Sequence, residues 1–223
     1  MNRAAAWLLE LFFPSKCILC GKLLRRGETD LCDACRVDTE AFPLPRNSIP
    51  FLASWRALWY YKDNVRQSLL RYKFSGERSY AAGYGRLLAM KLQQEQVEFD
   101  LLTWTPVSTV RNWKRGYDQV ALLAEAVGRE LGVTPVRTLR KRRNNPPQSG
   151  ITGAAARRAN VLNVYEPVKP WRFAGKRVLL LDDIVTSGAT VSECARVLLT
   201  AGAAEVHAAA LAAANRQTNQ NSR

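Results

Sequence analysis

The sequence predicts an α/β chain: a parallel sheet flanked by helices, preceded by a small four-cysteine module. Three observations carry that expectation. Apolar runs of strand length alternate with stretches of helical spacing between residues 54 and 213, the pattern of strand–helix–strand units. One run, Val178–Leu181, is continuously apolar, as a central parallel strand covered on both faces would be. Four of the five cysteines stand near the start, as two Cys-x-x-Cys pairs.

Taken in order, Ala5–Phe13 (AWLLELFF, after Ala5) reads as a short amphipathic helix docked on the body, with a loose membrane-surface contact as the alternative. Interrupted by Glu10, the run is too short to span a bilayer, which needs about 20 apolar residues. It also lacks a signal-peptide cleavage site before Cys17. The expected location is the cytoplasm, with peripheral contact at the inner membrane face as the one membrane association considered and no transmembrane segment. Pro43 and Pro45 read as a linker. Residues 1–45 are thus the N-terminal helix and four-Cys module, 46–214 the α/β domain, and 215–223 a polar tail.

Within the domain, Ser54–Tyr61 places Trp55, Ala57, Trp59 and Tyr61 on one face, as a half-buried strand does. Asn64–Phe74 and Tyr80–Gln96 have helical spacing, Asp100–Thr105 is a short strand, and Asp118–Leu131 is a helix stopped by Gly132. Val191–Leu199 is a helix closed by Gly202, and Glu205–Ala213 a final strand. Cys194 falls on the apolar side of its helix with Val191 and Leu198 and reads as core.

The chain carries 33 Lys and Arg against 19 Asp and Glu, a net charge of +14, with His207 as its one imidazole. Such a balance favours polyanionic partners: nucleic acid, phosphorylated metabolites or an anionic membrane face. A merely solubilising basic surface is the plainer alternative. With 47% apolar and 23% charged residues, the chain can bury a full core, which excludes a disordered polycation.

Cys17-x-x-Cys20 and Cys32-x-x-Cys35 have the spacing by which two tight turns each give two thiolates to one tetrahedral zinc ion. Gly21 supplies the backbone freedom such a turn uses. Four thiolates leave no open coordination position, so the zinc is expected to be structural. Paired disulfides are disfavoured without a secretion signal, and a redox dithiol would normally occur once.

The most specific stretch is Val178–Thr190, VLLLDDIVTSGAT. A buried strand delivers Asp182 and Asp183, and a short loop then opens a helix. The helix N-terminus offers unpaired N–H groups and partial positive charge, which suit a phosphate. Thr186, Ser187 and Thr190 add hydroxyls, while Gly188, followed by Ala189, lets the backbone come close. The acids cannot serve a phosphate, so they are placed at a solvent-facing strand end to accept from sugar hydroxyls or to hold Mg²⁺ through water. Helix capping alone would need one hydroxyl and no acids.

This segment resembles the phosphoribosyl-pyrophosphate (PRPP) signature of type I phosphoribosyltransferases. The resemblance implies that fold, with Thr186, Ser187, Gly188, Ala189 and Thr190 on the 5-phosphate, Asp182 and Asp183 on the ribose hydroxyls, and magnesium arriving with PRPP. Further segments narrow it: Leu69–Gly76 (LLRYKFSG), Thr105–Ser108 (TPVS) after the strand 100–105, Arg111–Gln119 (RNWKRGYDQ) and Asn145–Gly150 (NPPQSG), with Arg157, Arg158 and Asn160 beyond. With the cysteine knuckles, these are similar to the ComF family of competence and GntX-like proteins, from Phe13 to about Leu211. Where members often read Phe-Asn, this chain has Tyr117-Asp118, an acid beside Arg115 that would weaken anion affinity.

Arg111, Lys114 and Arg115 make a cationic loop interleaved with Trp113 and Tyr117, and Gln119 follows it. Arg suits bidentate phosphate recognition and an aromatic can stack on a base, so the loop would cover pyrophosphate or lie along single-stranded DNA. A solvated turn is its plain alternative. Arg137, Arg140, Lys141, Arg142 and Arg143 form a second block with no aromatic among them, which reads as electrostatic or merely solvated. Lys73 is either a snorkelling surface lysine or a phosphate contact. The favoured expectation is a ComF-type protein that binds PRPP and single-stranded DNA in the DNA uptake of natural transformation, with other uptake components as partners at the inner membrane face. An active phosphoribosyltransferase with an unidentified acceptor is the rival, and a sensor of PRPP the third reading. Nothing in the sequence stands out as a general base.

Overall fold

The computed structural model describes residues 15–107, 116–142 and 153–214, the side chains of Ala154 and Arg158 excepted. Four parallel strands form the sheet: β1 (Ser54–Tyr60), β2 (Leu101–Trp104), β5 (Arg177–Val185) and β6 (Glu205–Ala213), in the order β1-β6-β5-β2. Between them run α1 (Asp33–Asp38), α2 (Asp63–Phe74), α3 (Tyr80–Gln94), α4 (Gln119–Leu131), α5 (Ala154–Val161) and α6 (Ala189–Thr200). A separate antiparallel pair joins β3 (Leu139–Lys141) to β4 (Tyr165–Pro167), and a 3₁₀ turn (Pro170–Arg172) leads into β5.

The expected alternation of strands and helices is present, and the pleat of β5 explains its composition. Leu179 and Leu181 point into one core with α2, α3 and α4, while Val178 and Leu180 point into a second with α6, Phe173 and Leu139. Both faces are covered, so every position is apolar until the acids. Cys194 is fully buried in the second core, as expected of it. The first strand differs from expectation. Leu58 is buried as well as Trp55, Ala57 and Trp59, because β1 is covered on both faces too.

The cysteine segment belongs to the first core. Ile18, Leu19 and Leu31 pack there with Leu69, Tyr72 and Tyr84. Arg71 of α2 donates to the Leu19 carbonyl at 2.5 Å, and Ser68 donates to the carbonyl of Ile18.

At the carboxyl end of the sheet the strands part. β2 pairs with β5 only as far as Trp104 opposite Leu181, whereas β6 stays paired through Val185 opposite Ala213. Asp182 and Asp183 therefore project where β2 has ended. A crevice beyond the carboxyl ends of strands is where α/β sheets take ligands. No helix among the described residues is long and apolar enough to cross a membrane.

Candidate functional site

The helix α6 begins at Ala189, and Gly188 stands before it in the left-handed conformation (φ 74°, ψ 1°). Only a residue without Cβ adopts that freely, and Gly188 brings no side chain to cap the helix. The first-turn N–H groups of α6 thus face the loop, where phosphate oxygens could meet them. Thr186, Ser187 and Thr190 are half-buried around the same point. Thr186 and Thr190, with Asp182, Val185 and Ala189, border a shallow hollow at the loop, which Ser187 does not line. Ser187 instead accepts from the Ala189 N–H at 3.4 Å.

The two acids lie within β5, and they are buried rather than solvent-facing, each 7% exposed. The expectation of an open strand end is corrected by β5 itself, which runs on to Val185 with β6 beside it. Asp182 Oδ1 accepts from Thr105 Oγ1 at 2.9 Å and from the N–H of Asp183 at 2.9 Å. Burial, and then the charge of Asp183, push its carboxyl up to about 7 against those two hydrogen bonds. Asp183 Oδ1 pairs with Lys73 Nζ at 2.9 Å, and Oδ2 accepts from Gln119 Nε2 at 2.9 Å.

Lys73 is therefore neither a snorkelling lysine nor turned outward to an anion; its side chain is 17% exposed and clamps the second acid. Gln119 makes the other half of the clamp, from the first residue of α4. Its Oε1 is buried with no hydrogen-bond partner among the described residues, an acceptor left over beside two carboxylates. This all-oxygen donor set suits a hard cation such as Mg²⁺. Thr105, just past the end of β2, opens the Thr105–Ser108 segment of the family resemblance, which assigned it no role; its hydroxyl holds Asp182.

Arg111, Lys114 and Arg115 lie outside the described residues, as do Trp113, Arg143, Asn145–Gly150, the helix expected at 5–13 and the segment 215–223. Of that cationic segment, residues 116–119 are described; Tyr117 corrects the reading of a stacking aromatic, and Asp118 has a role not expected of it. Tyr117 is buried at 8% and donates to the carbonyl of Tyr72, so it anchors the loop rather than stacking on a base. Asp118 caps α4, accepting from the N–H groups of Val120 and Ala121 at 3.0 Å each. Its carboxyl is raised chiefly by burial. It directs its charge to the helix N-terminus.

The four cysteines converge as their spacing predicts. Their sulfurs all lie within 4.8 Å of one another, and Cys20 and Cys32 are 3.7 Å apart. Zinc–sulfur bonds of about 2.3 Å in a tetrahedron place sulfurs about 3.8 Å apart, so the group has the dimensions of a metal site. Gly21 turns the first knuckle at φ 78°, and its N–H donates to the Cys17 carbonyl at 2.8 Å. At Cys17, burial acts to raise the thiol, but the backbone N–H groups of Cys20, Cys32 and Leu19 outweigh it and hold it at about 7. Burial and the neighbouring thiols push Cys35 up.

Residues 121–222 match the phosphoribosyl transferase domain family, a span that holds β5, both acids, the loop and α6. Over most of its length the chain is also similar to proteins named for competence and for DNA utilization. It is 26% identical over 227 residues to Competence protein F of Haemophilus influenzae, covering 91% of this chain and 99% of that one. The chain thus resembles the competence proteins over most of its length, and its fold is of the phosphoribosyltransferase type. It is likewise 27% identical to Competence protein ComFC of Streptococcus pneumoniae, over 86% of this chain and 96% of that one. With the DNA utilization protein YhgH of Escherichia coli K12 it shares 26% over 88% and 96% of the two chains. At such coverage these likenesses reach Lys73, which precedes the part matched by the domain family.

Proposed function

We propose that this chain is a ComF-type protein of DNA uptake in natural transformation that binds PRPP with Mg²⁺ at the carboxyl end of β5, binds single-stranded DNA, and holds a structural zinc ion on Cys17, Cys20, Cys32 and Cys35. The observation that carries the PRPP reading is the placing of two buried acids beside a hydroxyl-rich, glycine-turned helix start, where β2 has ended. Thr186–Thr190 take the 5-phosphate. Asp182 and Asp183 take the ribose hydroxyls, directly or through the cation's water. Lys73 and Gln119, which restrain Asp183, hold it ready and give way to the sugar. Bound magnesium supplies charge neutralisation at the pyrophosphate. Arg111, Lys114 and Arg115 cover that end of the ligand. The net charge of +14 and relatives named for competence and DNA utilization support the nucleic-acid partner, and cytoplasmic placement, peripheral to the inner membrane, goes with it.

A second reading, transfer of ribose 5-phosphate to an acceptor with release of pyrophosphate, is favoured by the transferase-domain match itself. Calorimetry with PRPP and Mg²⁺ tests the shared premise. Asp182→Asn with Asp183→Asn should weaken binding by more than about tenfold, since hydrogen bonds to charged groups contribute about 1.5–3 kcal/mol each, with the fold retained. PRPP held as tightly by that variant as by the parent refutes the site. Pyrophosphate release on a nucleobase panel selects the enzyme reading, and silence across the panel favours binding alone.

A further inference from the structure

The second cationic block has no aromatic within it, yet the fold brings one beside it. β3 carries Arg140 and Lys141, with Arg137 just before and Arg142 just after. β4 runs antiparallel to it, with Leu139 opposite Pro167 and the Val168 N–H donating to the Thr138 carbonyl at 2.7 Å. Arg137 and Lys169 are therefore the next residues on the two sides beyond the foot of the pair. Immediately beyond stands the turn Pro170–Arg172, with Trp171 at its centre.

Trp171 is 74% exposed. Trp55 and Trp59 are buried and Trp104 is half-buried, so it is the exposed indole among the described residues. A single exposed apolar side chain is ordinary; the turn beneath this one is not loose. Pro170 fixes its start, Phe173 is fully buried behind it, and the Arg172 and Ala174 N–H groups return to Lys169 and Pro170 at 3.0 Å each. Lys169, Arg172 and Lys176, within five residues of Trp171 in the chain, are all exposed. The nearby acids are largely matched: Glu166 is held by Arg140, and Glu98 and Asp100 by Arg177.

We infer that Trp171, with Arg137, Lys169 and Arg172, is a binding strip for single-stranded nucleic acid, separate from the phosphate loop. A rigid indole amid cations is the combination that takes a base by stacking and its backbone by charge. The turn enters β5 at its amino end and the loop leaves at its carboxyl end. Nine residues of strand at about 3.3 Å each put roughly 30 Å between them. The inference rests on the DNA-binding reading above but assigns it a place of its own.

Anisotropy of a fluorescent oligo-dT, titrated at several salt concentrations with the full chain, tests it. Trp171→Ala should weaken binding roughly 5- to 140-fold with its salt slope unchanged, as loss of one stacked base does, and Trp171→Phe should restore most of that. Arg137→Ala with Arg172→Ala should flatten the slope by about 1.4, at roughly 0.7 per phosphate on a single strand. Both variants should bind PRPP as the parent does, and Asp182→Asn with Asp183→Asn should bind DNA as the parent does. Parent-like DNA binding by Trp171→Ala overturns the strip and leaves the DNA reading standing. A parent chain that binds no DNA overturns both. Should Trp171→Ala melt early, the double Arg variant decides, and an unaltered slope there rejects the strip.

Discussion

Asp182 accepts hydrogen bonds from Thr105 and from the amide of Asp183 within a buried setting, and its carboxyl is raised from 3.8 to about 7 by burial and by Asp183. Two consequences follow with different signs. Between about pH 4 and pH 7 the folded chain keeps a proton that the unfolded chain has lost. The native state then binds more protons, so this residue's contribution to stability falls as pH rises through that window. Binding of Mg²⁺ and PRPP needs the anion instead, and so strengthens as pH rises toward 7 and levels off above it. Calorimetry at about pH 6 and about pH 8 should find the tighter complex at the higher pH, approaching tenfold per unit below the pKa. Melting of the ligand-free chain should show the reverse trend, and Asp182→Asn should flatten it. A melting trend unaltered in Asp182→Asn would place the titration on another group.

At the scale of elements, α4 was legible in the sequence and its cap was not read for what it is. Its apolar spacing and Gly132 announce the helix, and Asp118 is a favoured N-cap residue type, but in a run of charges beside Arg115 the sequence equally suggests an electrostatic neighbour. With both Val120 and Ala121 N–H groups on its carboxylate at 3.0 Å, Asp118→Ala should cost about 0.5–2 kcal/mol of stability. Chemical denaturation checks this, with Asp118→Asn recovering most of the loss; equal losses in both variants would deny the cap. The pair β3 and β4 was not legible for a physical reason. Each strand has three residues, too few for a period of two to register, and one of them is part of a cationic block. The central strands, both acids and the four thiols could be read because each rests on local spacing. The clamp on Asp183 could not, because Lys73 and Gln119 meet it only through the packing of α2 and α4 against β5.

At the scale of the whole molecule, the cysteine cluster decides whether the chain unfolds in one step or two. A small metal module appended by a linker would lose its metal and unfold alone. The packing here argues otherwise. Ile18, Leu19 and Leu31 share a core with Leu69, Tyr72, Tyr84 and Leu88, and α2 donates to the carbonyls of Ile18 and Leu19 through Ser68 and Arg71. Arg86 of α3 grips Asp30 between the knuckles, its Nε 2.9 Å from Oδ2. Removing the knuckles would uncover α2 and α3, and through them the face of β5 and β6. The free energy at stake is large: structural zinc binds with about 10–16 kcal/mol in small peptides, comparable with the roughly 5–15 kcal/mol that holds an entire domain. Purified protein should contain one zinc per chain, and Cys32→Ala, or a strong chelator, should lower the melting temperature in a single transition that also abolishes PRPP binding. Calorimetric scanning checks both halves of that statement. Two separate transitions, the later one at the parent's temperature, would mean that the knuckles fold on their own and that the contacts of Ser68, Arg71 and Arg86 contribute little.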